Sequence, residues 1–101
     1  MKYEDEITQL IANSGMAKSY AMEAIFEAKK GNFEKAYEVL DLAKESFLNA
    51  HNIQTKLIKK EIEGSTVELN LLMVHAQDHL MMSMAIRDLA VEIVELYKAI
   101  N

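Results

Sequence analysis

A chain of 101 residues, half of them hydrophobic, has room for one small domain, residues 1–101, and the apolar material for its core. Aromatic residues make up only 7%, Pro is absent and Gly occurs 3 times, which favours a few long helices over many short strands. The net charge of −5 argues against nucleic acid or an anionic membrane as partner, and the absence of Cys excludes disulfides, thiolate catalysis and Cys-ligated zinc. Lack of Cys also fits the cytosol. No N-terminal segment reads as a signal peptide, and no apolar run approaches the roughly 20 residues of a membrane span.

Met1–Lys30 reads as the first helix. Glu4, Asp5 and Glu6 place negative charge at its start, where the helix dipole favours it. Ile7, Leu10, Ile11, Ser14, Ala17, Ala21, Ala24, Ile25 and Ala28 recur at helical spacing. Small residues dominate this stripe, so a neighbouring helix can approach closely. Gly15 interrupts it and should weaken the helix by about 1 kcal/mol relative to Ala. Two reasons for it stand equal: close packing, or space for a side chain or ligand from a facing helix.

Lys29-Lys30-Gly31-Asn32 marks a boundary. The lysines complement the C-terminal dipole, Gly31 suits a left-handed C′ position, and Asn32 can cap the next helix. From Phe33 the stripe Ala36, Leu40, Ala43, Phe47, Ala50, Gln54, Leu57 and Ile58 carries the second helix to about Ile62. Gly64 ends it. Ser65-Thr66-Val67-Glu68 then has the pattern of a capping box, with Ser65 as N-cap and Glu68 at N3. The third helix is expected from Thr66 nearly to the C-terminus. Short breaks at Gly31 and Gly64 imply an all-α, antiparallel up-down-up three-helix bundle.

The third helix carries two adjacent, mainly apolar stripes. One is Val67, Leu71, Val74, Asp78, Met81 and Ala85; the other is Leu72, His75, His79, Met82, Ile86, Leu89, Ile93, Leu96 and Ile100. One stripe suffices for packing inside a protomer. Two point to self-association through this helix.

The densest chemistry lies in Val74-His75-Ala76-Gln77-Asp78-His79-Leu80-Met81. On a helix His75 and His79 stand one turn apart on the same side, and Asp78 sits on the other flank of His75, about 60° away. An ionised carboxylate in an apolar stripe is costly unless paired, metal-bound or protonated. Asp78 therefore either pairs with a Lys or a nearby His, or meets its symmetry copies at an oligomer axis, where clustered carboxylates need protons or a cation. A neutral His75 can serve as metal ligand, base or nucleophile; the plainer alternative is a satisfied, partly buried histidine.

Other patterns fit less well. His75-x-x-x-His79 has zincin spacing, but Ala76 stands where the zincin Glu belongs. No Glu-x-x-His pairs mark a di-iron bundle. A helical chain lacks the strand-borne elbow of a Ser-His-Asp hydrolase, and there is no Gly-rich phosphate loop. His51 and Gln54 share a face of the second helix and read as a polar contact near the helix seam, or as support for the third-helix site. Met73, Met81, Met82 and Met84 read as core and seam filler.

The octapeptide Val74–Met81 resembles the signature of the lactose/cellobiose-type enzyme IIA of the bacterial phosphoenolpyruvate-dependent sugar phosphotransferase system. Gly15-Met16-Ala17-Lys18-Ser19-Tyr20-Ala21-Met22-Glu23-Ala24, Ala28-Lys29-Lys30-Gly31-Asn32-Phe33 and Ala50-His51-Asn52-Ile53-Gln54-Thr55-Lys56-Leu57-Ile58 are similar too. Lys18 departs from the family's usual Arg. The resemblance implies a homotrimeric phosphocarrier in the cytoplasm. It makes His75 the phosphorylated nucleophile and Asp78 the axial acid, three copies of which share a divalent cation, with magnesium the expected ion. His79, Gln77 and His51 become neighbours of the site. Phosphoryl is then expected from the histidine phosphocarrier protein HPr. It passes to the cognate enzyme IIB and, through the membrane component IIC, serves uptake of a β-linked disaccharide of cellobiose, chitobiose or lactose type. The rival reading is a non-catalytic helical-bundle adaptor with a structural His/Asp metal site.

Overall fold

Three helices, α1 (Glu4–Lys29), α2 (Phe33–Ile62) and α3 (Leu71–Ile100), build the computed structural model, which describes Met1–Asn101 and contains no strand. Helices of 26, 30 and 30 residues are about 39–45 Å long at 1.5 Å per residue. The molecule measures 53 × 21 × 16 Å, so they must lie side by side. Contacts at the two ends fix their directions. The Tyr3 hydroxyl is 2.9 Å from Ser65 Oγ, joining the start of α1 to the α2–α3 connection. A Cβ on Gly31 would lie 4.0 Å from Asn101 Nδ2, joining the α1–α2 turn to the end of α3. The order is therefore up, down, up, as the two short breaks implied.

Each helix faces its neighbours with small residues seven apart: Ser14, Ala21 and Ala28 on α1, Ala36, Ala43 and Ala50 on α2, Ala76, Ser83 and Ala90 on α3. A seven-residue repeat keeps one seam facing its neighbour along the whole rod. Small side chains let helix axes approach the near end of the ~8–10 Å range. Larger residues fill the space between these rows. Ile7, Leu10 and Leu80, each at most 1% exposed, contribute roughly 1.5–3 kcal/mol apiece by burial.

The α1 stripe is buried as the spacing predicts, with Ile11 and Ile25 half-exposed at its margins. On α2 the stripe also holds, but Ile58 is 51% exposed. Helix α3 differs from expectation. Its core face is Met73, Ala76, Leu80, Ser83, Ala90 and Val94, which belongs to neither predicted stripe. Both stripes of larger residues lie at or outside the margin of the core; Leu71 is 85% exposed and Val74 49%. The Ala-rich rows opposite demand small partners, so the bulkier faces of α3 are left out of the protomer.

Two expected caps are also corrected. Helix α3 starts at Leu71, not Thr66, and Asn70 is its N-cap, with Oδ1 accepting from the Met73 N–H at 2.9 Å. Ser65 does not cap; its hydroxyl meets Tyr3 and the Lys2 ammonium, the latter at 3.2 Å. Asn32 precedes α2 without a side-chain capping bond and instead donates to Glu27 Oε2 at 3.0 Å. That bond, reinforced by the Lys30 ammonium, holds the Glu27 carboxyl below its ordinary value of 4.5. Gly31 and Gly64 take the left-handed conformation, at φ 85° and 97°, that lets the chain leave each helix. Helix α1 begins at Glu4 rather than Met1, after Tyr3 in a left-handed conformation at φ 67°.

Candidate functional site

His75, Asp78 and His79 project from the first turns of α3. Helical geometry sets Ala76, on the core face, about 100° to one side of His75 and Asp78 about 60° to the other. His75 and Asp78 are accordingly exposed, while His79, about 40° toward the core, is half-buried. The two rings meet edge to face, with centroids 4.4 Å apart and planes at 89°. Their Nε2 atoms are 3.0 Å apart. Such a contact requires one Nε2 to carry a proton and the other to present a lone pair.

Helix α1 supplies the opposite wall. Ser14 and Lys18, one turn apart, join His75, Asp78, His79 and Met82 around a cleft of about 230 Å³. Ser14 is 1% exposed and its hydroxyl has no hydrogen-bond partner. A helical serine ordinarily bonds back to a carbonyl one turn earlier. Ser83 does so, donating to the Leu80 carbonyl at 2.8 Å. An unmatched buried hydroxyl costs about 1–3 kcal/mol. Lys18 is exposed and free of ion pairs, since the two in the protein are Lys30–Glu27 and Arg87–Asp88. Asp78 has no ion-pair partner either, so the pairing alternative for it is not realised within the protomer. Gly15, beside Ser14, would carry a Cβ into open space. Close packing within the protomer is thus not its reason.

Beyond the cleft, His75 borders an open apolar shelf formed with Leu71 and Leu72. Together with Val74 and Met81, 49% and 44% exposed, these residues leave α3 a broad uncovered apolar face around Asp78.

The other two candidate residues stand elsewhere. Gln77 lies about 160° around α3 from His75 and accepts a hydrogen bond from Gln54 on α2. His51 is exposed on α2 and stacks on Phe47, centroids 5.8 Å apart. Within one protomer neither lines the cleft. No group of three or more His, Asp or Glu side chains converges on a possible metal position. A wider depression of about 550 Å³ beside the α1–α2 turn, lined by Gly31, Phe33 and Glu38 among others, contains no histidine.

The sequence names Ser14 only as part of the α1 stripe and Lys18 only as a departure from the family's Arg; the structure brings both to the cleft. The available signal was a hydroxyl interrupting an apolar stripe with a cation one turn later.

Residues 5–98 match the family model of the lactose/cellobiose-specific IIA subunit of the PTS system. The chain is 50% identical to the lichenan-specific phosphotransferase enzyme IIA component of Bacillus subtilis, over 97% of this chain and 89% of that one. The crystal structure of the PTS cellobiose-specific enzyme IIA from Bacillus anthracis superposes with a TM-score of 0.96 at 44% identity, covering 99% and 92% of the two chains. The IIA(chitobiose) chain of the Escherichia coli IIA(chitobiose)–HPr complex superposes at 0.85 with 38% identity, covering 99% and 97%.

Proposed function

The chain belongs to the lactose/cellobiose-specific IIA family of the PTS, and from that premise we propose that it carries phosphoryl on His75, from phospho-HPr to a cognate enzyme IIB. The observation that carries this reading is the exposed His75 imidazole, on a rigid helix, between a polar cleft and an apolar shelf. The cleft offers space and polar groups for an oxyanion. The shelf offers a docking surface for a partner protein. The E. coli relative solved in complex with HPr supports HPr as the donor.

The chemistry asks little of other residues. The lone pair of the neutral His75 ring forms a new N–P bond as the N–P bond to the donor's imidazole breaks. That electron pair returns to the donor ring, and each ring keeps the proton on its other nitrogen. Catalysis is then in-line positioning plus stabilisation of the phosphoryl oxygens. With Nε2 as nucleophile, the contact to His79 must open first. The His79 Nε2–H, once released, is placed to donate to a phosphoryl oxygen. In the onward step the IIB nucleophile forms its own bond to phosphorus as the His75 N–P bond breaks, and that electron pair returns to the His75 ring.

Asp78 is assigned to an oligomer axis. It is an exposed, unpaired carboxylate between Val74 and Met81, a surface suited to burial against copies of itself. One carboxylate is too few for a hard cation, which takes six or more oxygen ligands. Three Asp78 side chains in a homotrimer, with water, would hold a divalent ion such as magnesium, whose charge offsets their repulsion. Gln77 and His51 lie off the cleft within a protomer, so any part they take in the site comes from a neighbouring copy. No helix is long and apolar enough to cross a membrane. The reading places the chain in the cytoplasm, handing phosphoryl through IIB toward the membrane component IIC for uptake of a β-linked disaccharide.

Incubation with phosphoenolpyruvate, enzyme I and HPr, followed by intact-mass measurement, tests the proposal. The expected result is one acid-labile phosphoryl per chain, abolished by His75→Gln with assembly unchanged. No adduct, with tight zinc binding instead, would establish the adaptor with a structural metal site. A His75→Gln protein that still accepts phosphoryl would remove His75 from its role.

A further inference from the structure

Three serines, one per helix, are the buried polar residues of this protein: Ser14, Ser46 and Ser83. Only the hydroxyl of Ser14 is both sealed from solvent and without a partner, and Ser14 lines the cleft beside His75. One turn along α1, on the same wall, Lys18 carries an ammonium that no carboxylate neutralises. We infer that Ser14 and Lys18 form the oxyanion-receiving wall of the cleft and hold the phosphoryl oxygens while the group resides on His75.

The placement follows from the packing. Ser14 is on the core side of the cleft, where α1 meets the half-buried side of α3. Asp78 also borders the cleft, on the opposite flank of His75, and its carboxylate, where the axial cation does not offset it, repels a phosphoryl dianion. A cation on the α1 side pulls the group the other way. Lys18 supplies that charge as a flexible point cation, and its length lets it follow the group as partners arrive and leave. Ser14 supplies a short, directional O–H whose hydrogen is not committed elsewhere, and since no solvent reaches that oxygen in the resting protein, the side chain turns toward the cleft it lines to make the contact. Gly15 adds no side chain to this stretch of α1, and a Cβ there would meet nothing. The cleft, about 230 Å³, exceeds several times the ~30 Å³ share of one liquid water, so an oxyanion and its hydration fit.

No bond is made or broken at Ser14 or Lys18. Their work is to hold the oxygens in line and to lower the free energy of the phosphorylated state relative to the donor's. The inference rests on His75 as the phosphoryl acceptor, and the experiment separates the two. Wild type, Ser14→Ala, Lys18→Met and Lys18→Arg are each mixed with phospho-HPr. The fraction phosphorylated at equilibrium and the rate of approach are read by intact mass, with thermal melts alongside.

Ser14→Ala and Lys18→Met are each expected to shift the equilibrium about tenfold back toward HPr. Their melting temperatures should be no lower than wild type, and Lys18→Arg should restore most of the loss. A wild type that takes no phosphoryl sinks the phosphocarrier reading and this inference with it. A phosphorylated wild type matched within twofold by both Ser14→Ala and Lys18→Met overturns the inference alone. Loss of transfer that follows loss of melting temperature, unrestored by Lys18→Arg, assigns these residues to structure and also overturns it. Lys18 is exposed, so its variants stay folded even if a change at Ser14 disturbs the core.

Discussion

His75 and His79 meet nitrogen to nitrogen, Nε2 to Nε2 at 3.0 Å, with one ring standing nearly perpendicular to the other. Only one of these two atoms carries the hydrogen between them, so the pair constrains both tautomers at once. The ring that accepts has its lone pair directed at its neighbour and must be released before it can attack phosphorus. His79→Ala frees that lone pair but removes the Nε2–H that donates to a phosphoryl oxygen, so the variant should still accept phosphoryl, at least tenfold more slowly, since a hydrogen bond to a charged group is worth about 1.5–3 kcal/mol. Quench-and-mass time courses with phospho-HPr measure this. Equal rates for variant and wild type would leave His79 without a part in transfer.

Asp78→Leu is expected to preserve or strengthen the assembly. Replacing clustered buried charges by apolar side chains is commonly neutral or stabilising by about 1–4 kcal/mol. Melts with and without a chelator should differ for wild type and coincide for the variant. Dissociation of Asp78→Leu into monomers would contradict an axial carboxylate cluster.

Val74→Glu tests the uncovered face of α3 directly. Val74 is 49% exposed in the protomer, so the change should leave the fold of a single chain intact. If the face is a seam between copies, a buried carboxylate there costs several kcal/mol and micromolar samples shift to monomer. Light scattering coupled to size exclusion reports the mass. An unchanged mass would place the seam elsewhere.

Asn70→Ala should destabilise by about 1 kcal/mol, the usual worth of an N-cap. Ser65→Ala should leave the start of α3 unaffected and lose only the contacts to Tyr3 and Lys2. Amide exchange at Met73 distinguishes the two, since its N–H bonds to Asn70. Faster exchange there in Ser65→Ala than in Asn70→Ala would restore the earlier cap.

Glu27→Gln probes the α1–α2 turn. A carboxyl whose folded value is depressed stabilises the fold above its ordinary 4.5 and loses that contribution as pH falls through the lower folded value. Wild type should therefore melt higher than the variant at neutral pH, and the gap should close on acidification. A gap independent of pH would show that the Asn32 contact is not linked to ionisation.

Much of this architecture is legible from local rules. Gly31 and Gly64 are read as helix exits because few other residues accept positive φ, and the apolar period of the second helix, interrupted at Gln54, runs to Ile58. The false cap at Ser65 has a tertiary cause. Its hydroxyl satisfies the capping pattern on paper, but Tyr3, 62 residues away, takes it. The core face of α3 is not legible from side-chain size, because most of the residues it buries are smaller than those it leaves out. Against alanine rows, Ala76, Ser83 and Ala90 go inside and Leu71, Val74 and Leu89 stay out. His75, Asp78 and His79 were found because one helix carries all three. Ser14 and Lys18 join them only through the register of α1 against α3, which no spacing within a single helix encodes.

The odd number of helices has a practical side. Met1 lies by the Ser65 end of the rod, whereas Asn101 lies by Gly31, at the opposite pole. His75 is four residues into α3, so Asn101 sits about 39 Å farther along the same helix. An affinity tag or fluorophore attached after Asn101 therefore hangs well clear of the histidine, while one attached ahead of Met1 crowds it. Rejoining the two chain ends would take a strap of about 15 residues at full stretch to bridge 53 Å, so this chain is a poor candidate for circular permutation.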